Sequence, residues 1–313
     1  MASSNSIDAF RKVLRESRHV VAVVGAGLST ASGIPSWRGQ KGQGGIWNSY
    51  DPAILASPEA FTRDPSLVWH HYHVLREVAL HSTPNPAHVS LAMLCIPKLL
   101  FHLASDAEFT LITQNIDGLS VRAYEDALKH HQGTLGPSRS SYNGSMNTSI
   151  TKNIPESHIY EMHGRVLDTL CTQCSNLRHD GKSPLCPALA HARTFNEPYH
   201  PIPVDELPHC EQPECGGLLR PGVVWFDEVP RNSREIWRKV DEADLCLVIG
   251  TSSTVQPAAG FAHEIKDHGG KVAIFSIENV TEQIELADFV FLGPCEVTLP
   301  NVLFDSDMDR DKC

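Results

Sequence analysis

The sequence predicts an α/β fold: a doubly wound, Rossmann-like parallel sheet with a smaller zinc-binding lobe and an inserted helical module. Three observations predict it. Short β-branched runs end at glycine or polar turns and alternate with helical patterns, as in a parallel sheet covered on both faces. Four cysteines at chelating spacing interrupt that alternation. A stretch from 40 to 103, rich in Pro, His and Trp, fits neither pattern.

The elements follow in chain order. Ahead of His19, Arg11, Lys12, Arg15 and Arg18 mix with Asp8 and Glu16, which reads as an amphipathic helix and not as a presequence. His19 to Val24 is a continuous apolar run, the mark of a strand buried on both faces. Further strands are expected at 111–113, 245–249, 271–277 and 289–292, and helices at 231–243 and 258–268. The Rossmann-like domain is then expected over 1–39, 104–168 and 220–313. The helical module takes 40–103 and the zinc module 169–219. The Ser/Asn/Gly-rich stretch 133–153 cannot bury a core and is expected to be a flexible loop.

Composition narrows the function classes. A chain of 313 residues with nine cysteines buries a core without disulfide staples. Its net charge of -11 disfavours direct nucleic-acid binding, which needs Lys and Arg at phosphates, and suits lysine-rich protein partners. No apolar run approaches the ~18 residues of a spanning helix, so no membrane role is expected. The protein is expected to be intracellular and monomeric, with the cytoplasm preferred and the mitochondrion or nucleus as alternatives.

Ligands in doubly wound sheets lie at the carboxyl ends of the strands, which directs attention to the loops after Val24, Thr113 and Ile249. Gly25-Ala26-Gly27-Leu28-Ser29, followed by Gly33, is either a phosphate-cradling turn or an ordinary strand-to-helix turn. Thr113 to Gly118 puts Gln114, Asn115 and Asp117 at a strand end. There they can fix a polar ligand, or Asp117 can cap the next helix. His163 can serve as a general base or be one of many ordinary histidines. Gly250, Thr251 and Ser252 offer donors at the same cleft edge, and Ser276 and Glu278 follow a later strand. Cys171 and Cys174, then Cys210 and Cys215, can place four thiolates tetrahedrally around Zn2+, with no open position for catalysis. Cys95 and Cys246 read as buried thiols, and Cys186 as a thiol outside the metal site.

In combination these motifs resemble the sirtuin family. Gly25 through Gly39 matches its cofactor-loop pattern, Thr113 to Asp117 its Thr-Gln-Asn-Ile-Asp motif, and His163-Gly164 its His-Gly pair. The zinc cysteines and the Gly-Thr-Ser turn follow in the family's order, and the likeness runs from about Val20 to Leu303. Stretches at 182–189, 215–221, 223–226 and 293–295 are similar to the class III branch, which removes acidic acyl groups. Departures include Trp37 for the commoner Phe, Ser120 for His, Asp227 for Gly, a longer loop at 40–45 and the insertion at 133–153.

The resemblance implies an enzyme that consumes NAD as co-substrate, with one structural zinc, and strips acyl groups from protein lysines to give nicotinamide and O-acyl-ADP-ribose. It implies His163 as general base, with Asn115 and Asp117 holding the ribose and nicotinamide. Cofactor contacts are implied for Gly25, Ala26, Gly27, Ser29, Ile34, Pro35, Trp37 and Arg38. On the second motif they fall to Gln114, Asn115, Ile116 and Asp117, and on the later loops to Gly250, Thr251, Ser252, Ser276, Ile277, Glu278 and Cys295. Ala56, Tyr72 and Arg76 are implied to receive the acyl group, and Val223, Val224, Trp225 and Phe226 the peptide backbone of an acylated-lysine protein. Succinyl, malonyl or glutaryl groups are slightly favoured, although Leu75 stands where class III has the arginine of its Tyr-x-x-Arg and Arg76 comes one residue later. The alternatives are acetyl or longer neutral acyl groups, mono-ADP-ribosyl transfer on the same cleft, and a non-catalytic NAD or acyl-lysine reader.

Overall fold

The computed structural model describes residues 3–36, 55–133, 158–195, 199–278 and 285–304. Trp37, Arg38, the loop at 40–45 and all but the first residue of the stretch 133–153 lie outside them. The strands in chain order are β1 (His19–Val24), β2 (Glu108–Thr113), β3 (Ile159–Glu161), β4 (Gly164–Cys171), β5 (Leu177–His179), β6 (Leu219–Val223), β7 (Leu245–Ile249), β8 (Lys271–Ser276) and β9 (Phe289–Leu292). The helices are α1 (Ile7–Glu16), α2 (Pro58–Arg63), α3 (Pro65–His81), α4 (Pro86–Leu94), α5 (Pro97–Leu103), α6 (Leu119–Gly133), α7 (Ser233–Glu242), α8 (Ala258–Asp267) and α9 (Cys295–Leu303).

Six strands form a parallel sheet in the order β3-β2-β1-β7-β8-β9. This is the Rossmann order once the intervening strands are set aside, and the order reverses between β1 and β7. Strand pleating explains the unbroken apolar run of β1. Val20, Ala22 and Val24 enter the core beneath α1, α4, α6 and α9, while Val21 and Val23 enter the core beneath α7 and α8. The helix expected ahead of His19 is α1. It is capped by the Ser6 side chain and buries Phe10 and Leu14, so it is an integral part of the fold.

The smaller lobe is an antiparallel sheet, β5-β4-β6, on which α2 and α3 pack. Three successive helices, α2, α3 and α4, begin with Pro at the first position behind a Ser57, Asp64 or Asn85 cap. Proline loses nothing there, because that N–H has no partner inside the helix.

Several boundaries differ from the sequence-based expectation. The module placed at 40–103 divides: α2 and α3 join the small lobe, whereas α4 and α5 pack into the main core through Leu91, Leu94 and Leu100. The small sheet reaches beyond 169–219, taking Gly164 to Cys171 on one side and Leu219 to Val223 on the other. β3 is a short added edge strand, and β8 stops at Ser276, one residue early. The helix expected at 231 begins at Ser233, after Asn232 in the left-handed region at φ 55. No single helix among the described residues is long and apolar enough to cross a membrane.

The loops after β1 and β7 lie in backbone contact. Gly27 N–H donates to Gly250 O at 2.8 Å and Gly25 N–H to Ile249 O at 3.0 Å. A Cβ on Gly27 would stand 2.7 Å from Gly250 O, and one on Gly250, at φ +56, would stand 2.6 Å from Leu28 N. Gly250→Ala therefore combines a left-handed backbone, which costs roughly 1–2 kcal/mol, with a backbone clash. We expect a thermal midpoint lower by several degrees, and an unchanged midpoint would contradict the loop contact.

Candidate active site

The three loops enclose one large cavity, about 1270 Å³, between the sheet's carboxyl edge and the small lobe. That exceeds the roughly 300–1,000 Å³ of a typical small-molecule site and leaves room for a dinucleotide together with a second ligand. Its lining includes Gly25, Ala26, Gly27, Ile34, Pro35, Gln114, Asn115, Ile116, Asp117 and His163. From the later loops come Gly250, Thr251, Ser252, Ser276, Ile277, Glu278 and Cys295. Ser29 lies just behind this wall, fully buried. Of the Gly-Ala-Gly turn, the Gly25 and Gly27 N–H groups are taken up by the β7 loop, so its glycines serve loop packing, and Ala26 N–H is the one left for a ligand.

Behind the wall lies a buried polar network. Ser29 Oγ donates to Asp117 Oδ2 at 2.7 Å and accepts from Asn115 Nδ2 at 3.1 Å. Asn115 Nδ2 also donates to Gly25 O at 3.1 Å, so both amide hydrogens are engaged and its Oδ1 is the atom left for a ligand. Asp117 Oδ1 accepts from Leu119 N–H at 2.8 Å, capping α6 while it holds the loop. Burial raises the Asp117 pKa, against the pull of the Leu119 and Ser29 hydrogen bonds.

His88, on α4, completes the network and was not singled out in the sequence. Burial lowers its pKa to about 4, so the ring is neutral at physiological pH. Nδ1 accepts from Asn85 N–H at 3.3 Å, which leaves Nε2 to carry the proton toward Ser29 Oγ, also at 3.3 Å. The one available signal was local: Asn85 with His88 three residues on forms a capping box.

His163 is set by the same logic. Nδ1 lies 3.0 Å from the Gln114 carbonyl, which can only accept, so Nδ1 carries the hydrogen and Nε2 keeps a lone pair in the neutral ring. Burial lowers its pKa below the ordinary value of 6.5, partly offset by the Gln114 hydrogen bond. A neutral imidazole facing a mostly enclosed cleft can accept a proton from a bound hydroxyl.

On the small-lobe side the cavity is lined by Ala56, Tyr72, Leu75, Val223, Val224, Trp225 and Phe226. Trp225 Nε1 donates to Tyr72 Oη at 3.0 Å, and burial pushes the Tyr72 phenol pKa up. The Arg220 guanidinium lies 3.5 Å from the Trp225 ring centroid and binds both Glu228 oxygens, at 2.6 and 2.8 Å. Strand β6 ends at Val223, and the next three N–H groups are already engaged. Val224 donates to His163 O, Trp225 to Glu228 Oε2 and Phe226 to Ala56 O. A peptide laid along this segment must therefore donate to its carbonyls.

Arg76 corrects one expectation. It is fully buried and absent from the cavity wall. Its guanidinium donates to Val166 O at 2.9 Å, Asp180 O at 2.6 Å and Lys182 O at 3.4 Å. Successive helix residues turn by about 100°, so Arg76 falls on the far side of Tyr72 from Leu75 and braces α3 against the small sheet.

The thiols of Cys171, Cys174, Cys210 and Cys215 all lie within 4.8 Å of one another. Sγ of Cys171 is 3.6 Å from Cys215, and Sγ of Cys174 is 3.7 Å from Cys210. Tetrahedral Zn–S bonds of about 2.3 Å require S···S separations of about 3.8 Å, so the four residues fit a structural Zn2+. Cys186 stays outside, its thiol 3.5 Å from Glu206 O. Cys95 and Cys246 are buried in the main core, as expected. Cys295 is a buried thiol at the cavity edge, its pKa raised by burial to about 11.

Fold and site together define a two-lobed dinucleotide-binding protein with a zinc-type lobe and a half-buried histidine at the shared cleft. The chain belongs to the Sir2 family: the family profile matches residues 25–148 and 144–257. It is 39% identical over 304 residues to a Danio rerio protein named NAD-dependent protein deacylase sirtuin-5, mitochondrial, an alignment covering 96% of this chain and 87% of that one. It also resembles a crystal structure of a Sir2 homolog–NAD complex, with a TM-score of 0.69 and 30% identity, covering 97% and 94% of the two chains. A mutant Sir2 homologue in complex with 2'-O-acetyl ADP ribose matches with a TM-score of 0.68 and 30% identity, covering 95% and 94%. The Danio rerio name carries a mitochondrial location where the sequence alone led to the cytoplasm.

Two outcomes follow from this geometry. His88→Ala removes a donor to Ser29 and leaves a cavity under the loop. It should destabilise the protein by about 2 kcal/mol and weaken dinucleotide binding several-fold, read by thermal denaturation and calorimetry. Metal analysis should find one zinc per chain, and a strong chelator should lower the thermal midpoint. A metal-free preparation of the same stability would contradict the zinc assignment.

Proposed function

We propose that this protein is an NAD-dependent protein-lysine deacylase. One observation carries the reading most directly. A neutral histidine, His163, is held by Gln114 O with Nε2 available, on the wall that also carries Asn115 and the peptide-facing segment 223–226. The Sir2 homologue bound to an acetylated ADP-ribose supports the product class.

Bound NAD supplies an electrophilic ribose carbon once nicotinamide departs, and the acyl oxygen of the modified lysine adds there. The chain's own groups do the rest. Asn115 Oδ1 and the loop over Ser29 and Asp117 orient the ribose and carboxamide, so the reacting atoms meet in one geometry. His163 Nε2 takes the proton of a ribose hydroxyl as that oxygen adds to the acyl carbon; one water then adds at the same carbon, the lysine amine leaves with a proton, and the acyl group stays on the ribose as its ester. The apolar wall formed by Ile116, Val223 and Trp225 limits water, which would otherwise capture the ribose carbon. A Zn2+ held by Cys171, Cys174, Cys210 and Cys215 would have all four ligand positions filled by protein and would act only on the small lobe's stability.

Asp227, next to the peptide-facing segment on the cleft wall, favours cationic peptide sequence around the acyl-lysine. Acylated, lysine-rich proteins are the proposed substrates.

His163→Ala should abolish nicotinamide release from acyl-peptide and NAD while leaving the thermal midpoint within a few degrees, and full turnover by this variant would refute the role. The pH profile gives a second check. A lowered pKa keeps His163 unprotonated above that value, so kcat/KM should rise with pH to a plateau, with its acid limb below 6.5. An acid limb well above 6.5 would contradict the lowered pKa of this half-buried ring.

A further inference from the structure

We propose that the acyl end of the cleft accepts uncharged, apolar acyl chains and rejects those ending in a carboxylate, with Leu75 as the residue that sets the choice. This rests on the deacylase reading above. It departs from the acidic acyl groups that the class III resemblance favours.

The wall at this end is apolar. Leu75, Val78 and Ala79 of α3 line the cavity with Ala56 and Val166, and four of these five residues belong to the small lobe's hydrophobic core. Ala56, with its single methyl group, leaves room for a chain longer than acetyl. Tyr72 contributes one neutral hydroxyl, which already accepts from Trp225 Nε1.

Among the described residues no Lys or Arg lines the cavity, so none of them answers a carboxylate here. Arg220 is close, but it is stacked on Trp225 and bound to Glu228. Arg76 is not a reserve cation. Turning it into the cleft would break its bonds to Val166 O and Asp180 O and leave those carbonyls unpaired in the lobe's interior. An acyl carboxylate would thus give up its hydration beside a leucine, with no cation among the described lining residues to offset the loss. An apolar chain would gain roughly fourfold in kcat/KM for each methylene buried, until the pocket is full.

The test compares succinyl-lysine with isocaproyl-lysine, its uncharged isostere, in one peptide sequence, alongside acetyl and butyryl. The readout is nicotinamide released by the wild-type protein with NAD. We expect kcat/KM for isocaproyl to exceed that for succinyl by at least about tenfold, and butyryl to exceed acetyl. Succinyl turned over as well as isocaproyl would overturn the inference while leaving the deacylase reading intact. No nicotinamide release from any acyl peptide would overturn both.

Leu75→Arg restores a cation at the wall and should shift the ratio toward succinyl by at least about tenfold. An unchanged ratio in the folded variant would count against Leu75. Arg76→Met is the control. It should lower the thermal midpoint and leave the succinyl-to-isocaproyl ratio where it was, whereas a selective loss of succinyl turnover would show that Arg76 reads the carboxylate after all.

Discussion

The site depends on one buried carboxylate. Asp117 is removed from water, and its two oxygens are answered by Ser29 Oγ and Leu119 N–H. Hydrogen bonds to a charged group are worth about 1.5–3 kcal/mol each, and leaving such a group unpaired costs more. The constraint therefore propagates. Ser29 must stay where Asp117 needs it, which fixes the short 3-10 helix Ala26–Ser32 that follows β1. Asn115 and His88 then fill the remaining positions around the same hydroxyl. Three segments that are remote in sequence are thus locked before any ligand arrives, which is the preorganisation a reaction through a short-lived cation requires.

The opposite wall of the cleft is held by different means. The small lobe has only a three-stranded sheet, and its four cysteines bring the end of β4 and the turn after it to the loop before β6, where a Zn2+ would tie them together. At the other end Arg76 joins α3 to backbone carbonyls of β4 and the 180–182 turn. Because α3 also carries Tyr72 and Leu75, this brace sets the position of that part of the cleft wall without entering the cavity. The pair Arg220–Glu228 plays a similar part for the segment 224–226 by holding Trp225 from behind. Each lobe is rigid for its own reason, and the cleft lies where the two meet.

Much of this was legible in the sequence. β1, β7 and β9 fall at the residues where the apolar runs placed them, because a strand buried on both faces leaves a continuous signal. The four thiols were readable from spacing alone, since chelation constrains local turns. What was not readable depends on distant contacts. The glycines of the first loop fit either a phosphate cradle or an ordinary strand-to-helix turn, while their tightest neighbour is the loop after β7, more than 200 residues away in sequence. Helices α4 and α5 look no different in sequence from α2 and α3, and only tertiary packing assigns them to the main core. His88 is a single histidine on an apolar helix, a pattern that more often marks a satisfied core residue. Arg76 and Leu75 differ by one position, yet a turn of about 100° sends one side chain into the lobe and the other to the cleft.

If the cleft passes the acyl group of a lysine to the ribose of NAD with His163 as base, mass spectrometry of all products from one acyl-peptide and NAD should find equal amounts of nicotinamide, free-lysine peptide and O-acyl-ADP-ribose. Free ADP-ribose with the peptide still acylated, or ADP-ribose attached to the protein acceptor, would contradict that transfer.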